Sequence, residues 1–100
     1  MTETPDDIST RKVEKEFTDA MARLVRIAKR DTGQSKRVAD FLLAWWRATK
    51  FGGFDLTDLW VVDDSIRVDM LTVIQFIATR QGKYPDSFGF DLGELVDQWR

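Results

Sequence analysis

The spacing of the apolar residues constrains the fold of this chain more than any other feature of its sequence. Over residues 10–30 the apolar side chains recur at the spacing of one face of an α-helix. The members of this stripe are Val13, Phe17, Ala20, Met21, Leu24, Ile27 and Ala28. No segment alternates apolar and polar residues as a half-buried strand does. The pattern therefore predicts a chain built from α-helices.

Further helices are predicted after this first one. The second is expected to run from a cap at Ser35 to about residue 49, where Gly52-Gly53 breaks the helix. Its apolar residues cover more than half of its circumference, which is typical of a helix surrounded by other elements, so we expect it at the centre of the fold. The remaining helices are predicted over residues 54–60, 65–80 and 91–99.

The length of 100 residues, with 43% hydrophobic and 32% charged residues, is typical of a single globular domain. We predict an all-α fold, a compact bundle of four to five helices, over residues 10–100. Residues 1–9 are polar and acidic and have little to bury, so we expect them to form a flexible tail.

The sequence lacks the side chains on which most catalysis depends. It has no His and no Cys, which leaves no usual general base and no thiol nucleophile. Asp63, Asp64 and Asp69 have the oxygen ligands that Mg²⁺ prefers, but the first two lie at a predicted helix cap and Asp69 is expected to point away from the core. We therefore expect a protein that is not an enzyme and that holds no metal and no cofactor.

Composition also bears on the cellular setting. The absence of Cys fits a reducing compartment, and no apolar run approaches the length that spans a bilayer. The expected location is the cytoplasm, with no membrane partner.

Basic residues are concentrated in the first half of the chain, which favours a nucleic-acid partner. Residues 1–50 hold 11 Lys and Arg against 8 Asp and Glu, whereas residues 51–100 hold 4 against 9. Residues 24–47 resemble a helix-turn-helix, because a Gly-containing turn leads to polar and basic residues at the start of a helix. The candidate nucleic-acid contacts are Lys29, Arg30, Gln34, Lys36 and Arg37. The apolar second helix and the pI of about 5.1 oppose this interpretation.

Aromatic and neutral residues favour a protein partner instead. Trp45, Trp46, Phe51, Phe54 and Trp60 lie close together in sequence and either fill the core or project toward a partner. We expect Trp45 and Trp46 to be largely buried. The outer face of the helix over residues 65–80 carries no charge at four positions. The candidate interface comprises Phe51, Phe54, Val68, Thr72, Gln75 and Thr79.

Several runs of residues resemble a known family. Residues 31–46, 52–60 and 69–74, together with Tyr84-Pro85-Asp86 and Trp99-Arg100, resemble an uncharacterised small domain encoded on proteobacterial plasmids and integrative conjugative elements. The resemblance covers residues 31–100, so the first helix lies largely outside it. It implies an accessory protein of a mobile genetic element and supplies no catalytic residues.

Two functional hypotheses follow. The first is a non-catalytic protein-interaction module of a bacterial mobile element, a regulator or an anti-defence factor, whose partner is another protein or a second copy of the chain. The alternative is a DNA-binding accessory protein or transcriptional regulator that uses residues 24–47.

Overall fold

Helical segments account for nearly all regular structure in the chain. The computed structural model describes the backbone of residues 5–100 and the side chains of residues 11–100. Within this range there are four α-helices, two short 3-10 helices and no strand, which confirms the predicted all-α bundle. The α-helices are α1 (Pro5–Ala28), α2 (Gly33–Phe51), α3 (Asp64–Thr79) and α4 (Gly93–Trp99), and the 3-10 helices are η1 (Leu56–Trp60) and η2 (Pro85–Phe88).

Helix α1 is longer than its apolar stripe predicts. It begins at Pro5, so residues 5–9 are helical where we predicted a tail, and residues 1–4 lie outside the described residues. Proline suits a first helical turn because its missing N–H would have no partner there. Val13 of the predicted stripe is 42% exposed. The 24 residues of α1 span about 36 Å and the 16 residues of α3 about 24 Å, so the first turns of α1 extend beyond the helix packed on it.

The residue that caps the start of α2 differs from the predicted one. Thr32, and not Ser35, is the N-cap residue, and its hydroxyl oxygen accepts a hydrogen bond from the Ser35 N–H at 3.0 Å. Ser35 is buried within the first turn, where its hydroxyl lies 2.7 Å from that of Thr32. The predicted break is confirmed at the other end, where Gly52 has a φ of 97° that favours glycine.

Helix α1, and not α2, holds the central position. Its contacts with α3 and with α2 are the most extensive in the fold, whereas the wide apolar surface of α2 is covered by α1, α4 and η2. The buried stripe of α1 therefore joins two helices that pack little against each other.

An aromatic cluster fills the core between α1 and α3. The rings of Phe17 and Phe76 stack with their centroids 3.9 Å apart and their planes 11° apart. Phe88 of η2 packs edge-on to Phe17 at 5.0 Å, and Trp45 packs edge-on to it at 5.9 Å. The spacing of apolar residues does not predict Phe76 in the core, because it lies at the edge of the apolar face of α3.

Trp45 and Trp46 lie at the border of this core and are largely but not completely buried. Both pack against the core, and they follow the fully buried Leu42 and Leu43. The Trp45 indole N–H donates to the Lys83 carbonyl oxygen at 3.3 Å, so one end of this ring lies at the surface. Immediately afterwards Arg47 has non-helical φ and ψ, and the helix is kinked there.

The last residues of the chain are held against α1 and α2. The Trp99 indole N–H donates to the Ala28 carbonyl oxygen at 2.8 Å. The guanidinium of Arg100 pairs with Asp40, which also accepts a hydrogen bond from Lys36 at 2.8 Å. Burial raises the pKa of Asp40, but the hydrogen bonds and charges of Lys36 and Arg100 outweigh it, so the pKa of this carboxyl lies below its usual value.

Replacing Phe17 by alanine should destabilise the domain strongly. Phe17→Ala removes a fully buried ring with four aromatic partners, and we expect a loss of about 3–5 kcal/mol in the free energy of unfolding. Val13→Ala in the same helix is the control and should change it by less than about 0.5 kcal/mol. Chemical denaturation followed by circular dichroism measures both. Equal effects of the two substitutions would contradict the assignment of the core.

Asp40 should stabilise the fold in a pH-dependent way. Its pKa is lower in the folded than in the unfolded chain, so its stabilisation is present above the unfolded value of about 3.9 and is lost as the pH falls through the folded value. Asp40→Asn should therefore lower the melting temperature at pH 7, and the difference from the unsubstituted protein should shrink at pH 3. For Asp97→Asn, at an exposed carboxyl, the difference in melting temperature from the unsubstituted protein should not shrink in this way. A constant difference at both pH values would contradict the ion-pair explanation.

Candidate protein-docking surface

The exposed large apolar side chains are concentrated on η1 and on the outer face of α3. Among the described residues, five of the seven lie between positions 56 and 71. They are Leu56 (69% exposed), Trp60 (78%), Val61 (57%), Val68 (60%) and Leu71 (48%). Clusters of exposed apolar side chains mark interaction sites more often than isolated ones do. We call these five residues the docking surface.

Local hydrogen bonding explains why η1 forms without a core of its own. Asp55 is its N-cap, and its carboxylate accepts hydrogen bonds from the Thr57 hydroxyl at 2.7 Å and the Thr57 N–H at 2.9 Å. These two hydrogen bonds lower the pKa of Asp55. No side chain of η1 is buried. Hydrogen bonds to the backbone, together with the packing of the partly buried Leu59 against the core, therefore determine where Leu56 and Trp60 project.

Arg67 of α3 attaches η1 to the body of the domain. Its guanidinium donates to the carbonyl oxygens of Leu59 at 2.7 Å and Val62 at 3.1 Å, and to the Asp64 carboxylate at 2.6 Å. Residues four apart share one side of a helix, so Arg67 and Leu71 lie on the same side of α3. The arginine therefore places η1 along the side of α3 that carries Leu71.

Two contacts with α2 hold the other side of this segment. Arg37 donates to the Asp58 carboxylate at 3.3 Å. The Gln34 amide donates to the Asp63 carboxylate at 3.1 Å and accepts from the Asp63 N–H at 2.6 Å. Asp63 occupies the predicted N-cap position of α3, but its side chain makes no capping hydrogen bond because Gln34 engages it.

The outer face of α3 is uncharged from Met70 to Thr79. Val68, Gln75 and Thr79 of the predicted interface are exposed and Thr72 is partly exposed. Thr72 and Thr79 donate their hydroxyl protons to carbonyl oxygens of their own helix, each at 3.0 Å. This face therefore presents apolar groups and few unpaired donors. The predicted interface omitted Leu71, although helical spacing places it beside Val68 and Gln75.

Phe51 and Phe54, two residues of the predicted interface, are less exposed than Val68 and Gln75. Both are partly buried and pack against the core. Phe54 packs edge-on to Phe41 at 5.2 Å, and Phe51 lies 5.4 Å from Trp46. We therefore leave them out of the docking surface, since aromatic neighbours already cover them.

A groove of about 510 Å³ separates α1 from α3 beside the docking surface. Asp69 lies in it and is only 8% exposed, which overturns the prediction that it points away from the core. Its two carboxylate oxygens accept hydrogen bonds from Arg23 at 2.8 and 3.0 Å. Hydrogen bonding to Asp69 and its negative charge raise the pKa of Arg23. Arg26, Ile27, Arg30 and Val68 also line the groove.

Most of the predicted nucleic-acid contacts have partners within the domain. Lys29 pairs with Glu94 at 3.1 Å, Lys36 with Asp40, Arg37 with Asp58, and Gln34 with Asp63. Arg30 is the exception: no described carboxylate lies within ion-pair distance of its guanidinium. The five residues therefore do not form a single free basic surface.

Two other kinds of feature are absent from the described residues. No three side chains of His, Cys, Asp or Glu lie together in a way that could hold a metal ion. Of the helices in residues 5–100, none has the length and apolar character needed to cross a bilayer.

Arg67 should control the rigidity of η1. Arg67→Met removes the hydrogen bonds to the carbonyl oxygens of Leu59 and Val62, each worth about 1 kcal/mol. The Val61 N–H, which donates to the Asp58 carbonyl oxygen, should then exchange with solvent roughly tenfold faster. Hydrogen exchange measured by NMR tests this, with buried amides of α2 as the internal reference. Arg26→Met, at an exposed arginine, is the control and should leave the Val61 rate unchanged. A uniform increase across the domain would contradict a local role for Arg67.

Comparison with known proteins assigns the chain to a family. No curated protein and no solved structure is similar enough to the chain to count as a match. The chain does match a family over residues 18–100, a range that begins beside Phe17 and includes the buried half of α1. The family therefore extends further toward the N-terminus than the resemblance over residues 31–100 implies. The chain belongs to the family of unknown function DUF7673.

Proposed function

We propose that the chain is a non-catalytic protein-interaction module that binds its partner through the docking surface. The observation that carries the proposal is the concentration of exposed apolar side chains on a segment held in place by hydrogen bonds. Trp60 is the most exposed large apolar residue of the described chain. Tryptophan is the residue type most enriched among those that dominate binding energy at interfaces.

The way in which η1 is held supports binding. Arg67 and Arg37 contact η1 from two different helices. A segment that is already ordered loses little conformational entropy when a partner docks, which favours affinity. The neutral outer face of α3 continues the same surface and requires little desolvation of charge.

The family resemblance supports a biological setting for this module. We infer an accessory protein of a bacterial mobile genetic element that acts in the cytoplasm as a regulator or an anti-defence factor. This setting rests on the resemblance, whereas the interaction role rests on the docking surface.

The DNA-binding alternative has less support. Lys29, Lys36 and Arg37 would have to exchange carboxylate partners for phosphates, and α2 turns its apolar residues into the core. A gel shift at about 100 mM salt that is lost in Lys36→Glu with Arg37→Glu would favour this alternative over the first proposal.

Removing apolar side chains from the docking surface should abolish partner binding. Three baits are used in extracts of cells that naturally carry the chain. The first is the unsubstituted chain, the second is a Trp60→Ser/Val68→Ser variant, and the third is a Val13→Ser/Tyr84→Ser variant. The control variant loses two other exposed large apolar residues that lie outside the docking surface. Proteins bound by the first bait should fall about tenfold or more in abundance on the second and stay constant on the third, as measured by quantitative mass spectrometry.

Two results would overturn the proposal. One is an identical set of bound proteins on all three baits. The other is equal loss on both variants, which would mean that the binding does not depend on this surface. Circular dichroism of each bait establishes that the variants are folded.

A further inference from the structure

The groove between α1 and α3 joins the docking surface at Val68. This residue is 60% exposed, belongs to the docking surface and also lines the groove. Ile27, on the α1 side, supplies a second apolar contact in the groove. A partner seated on the outer face of α3 therefore reaches the α1 side of the groove as well.

Some of the charged side chains that line the groove have a partner of opposite charge, and others do not. Two carboxylates line it, and both have partners: Asp69 pairs with Arg23, and Asp64 pairs with Arg67. Arg26 and Arg30 also line it, yet neither has a carboxylate within ion-pair distance among the described side chains. The α1 side of the groove therefore presents two arginines whose charge is unmatched.

These two arginines lie near one end of the groove. Arg26 belongs to the last turn of α1, and Arg30 follows the end of that helix, in the turn that leads to α2. Both line the groove, so carboxylates on a single partner segment can reach them. Carboxylates three or four residues apart share one side of a helix. Arginine binds carboxylates with two parallel hydrogen bonds, which gives such a pairing directional strength.

We propose that the partner supplies an acidic amphipathic helix that lies along the groove. Its apolar residues contact Val68 and Ile27, which line the groove, and carboxylates on one flank pair with Arg26 and Arg30. This inference rests on the proposed function and adds the chemical character of the partner. A helix in an apolar groove with a charged rim is a common mode of protein recognition.

Other occupants fit these groups less well. Nucleic-acid phosphates match the arginines but have no apolar groups to cover Val68 and Ile27. A second copy related by two-fold symmetry brings the same surface to the interface, including its own Arg26 and Arg30, and so adds like charge. An acidic amphipathic helix satisfies both the apolar and the basic groups.

Peptide selection tests the proposal even though the natural partner is unidentified. A library of random peptides of about 16 residues, long enough to match the roughly 24 Å of α3, is displayed and selected on the full chain. The most enriched peptide is synthesised, and its Kd is measured by fluorescence anisotropy. The selected sequences should combine apolar residues at helical spacing with Asp or Glu three or four residues apart.

Three variants locate the binding site of that peptide. Arg26→Glu with Arg30→Glu should weaken binding about tenfold or more, and the affinity of the unsubstituted chain should fall with added salt. Val68→Ser should also weaken binding. The control, Arg47→Glu with Lys83→Glu, makes the same charge change at two exposed basic residues outside the groove and should leave the Kd unchanged.

The outcomes separate this inference from the proposed function. Selected peptides that lack acidic residues but lose affinity with Val68→Ser would overturn the inference and leave the docking surface in place. Peptides whose affinity changes neither in the arginine variant nor in the Val68 variant would overturn the inference and the proposed function together. The inference also fails if the control variant weakens binding equally, or if no peptide is enriched. A dimer in sedimentation, or a DNA band shift, that is lost in the arginine variant would likewise overturn it.

Discussion

The ion pair between Arg23 and Asp69 joins α1 to α3 beside the core that the two helices share. A buried carboxylate is costly unless it is paired and hydrogen-bonded, and Arg23 donates to both oxygens of Asp69. The stacked rings of Phe17 and Phe76 join the same two helices at a second point. With the helices aligned in this way, Val68 lies at the groove. The core and the candidate site therefore depend on the same alignment of two helices.

The fold class could be predicted from the sequence because helices have a regular period. The stripe from Phe17 to Ala28 and the glycine break at Gly52 follow from local chemistry alone. The exposure of Val13 could not be predicted in this way, because it depends on how far the neighbouring helices extend. The burial of Asp69 was missed for a related reason: its partner lies 46 residues away in sequence.

The candidate site was predictable only where it follows helical spacing. The neutral face of α3 was identified at Val68 and Gln75 from periodicity. Trp60 and Phe54 could not be separated as exposed and packed residues, because both lie in a connection without a repeating pattern. The pairing of Arg37 with Asp58 joins two segments whose proximity no local pattern shows. A basic run in the sequence therefore overstated the free positive charge on the surface.

The absence of buried side chains in η1 has a consequence for how such a domain can evolve. Its shape depends on the Asp55 cap and on carbonyl groups that Arg67 engages, and a carbonyl group is present whatever the side chain. Substitutions at Leu56 or Trp60 therefore alter the surface without opening a cavity in the core. The exposed surface and the fold are thus separable along this short stretch. A chain of this kind can change the apolar groups that it exposes by drift in a few positions while its helical core stays as it is.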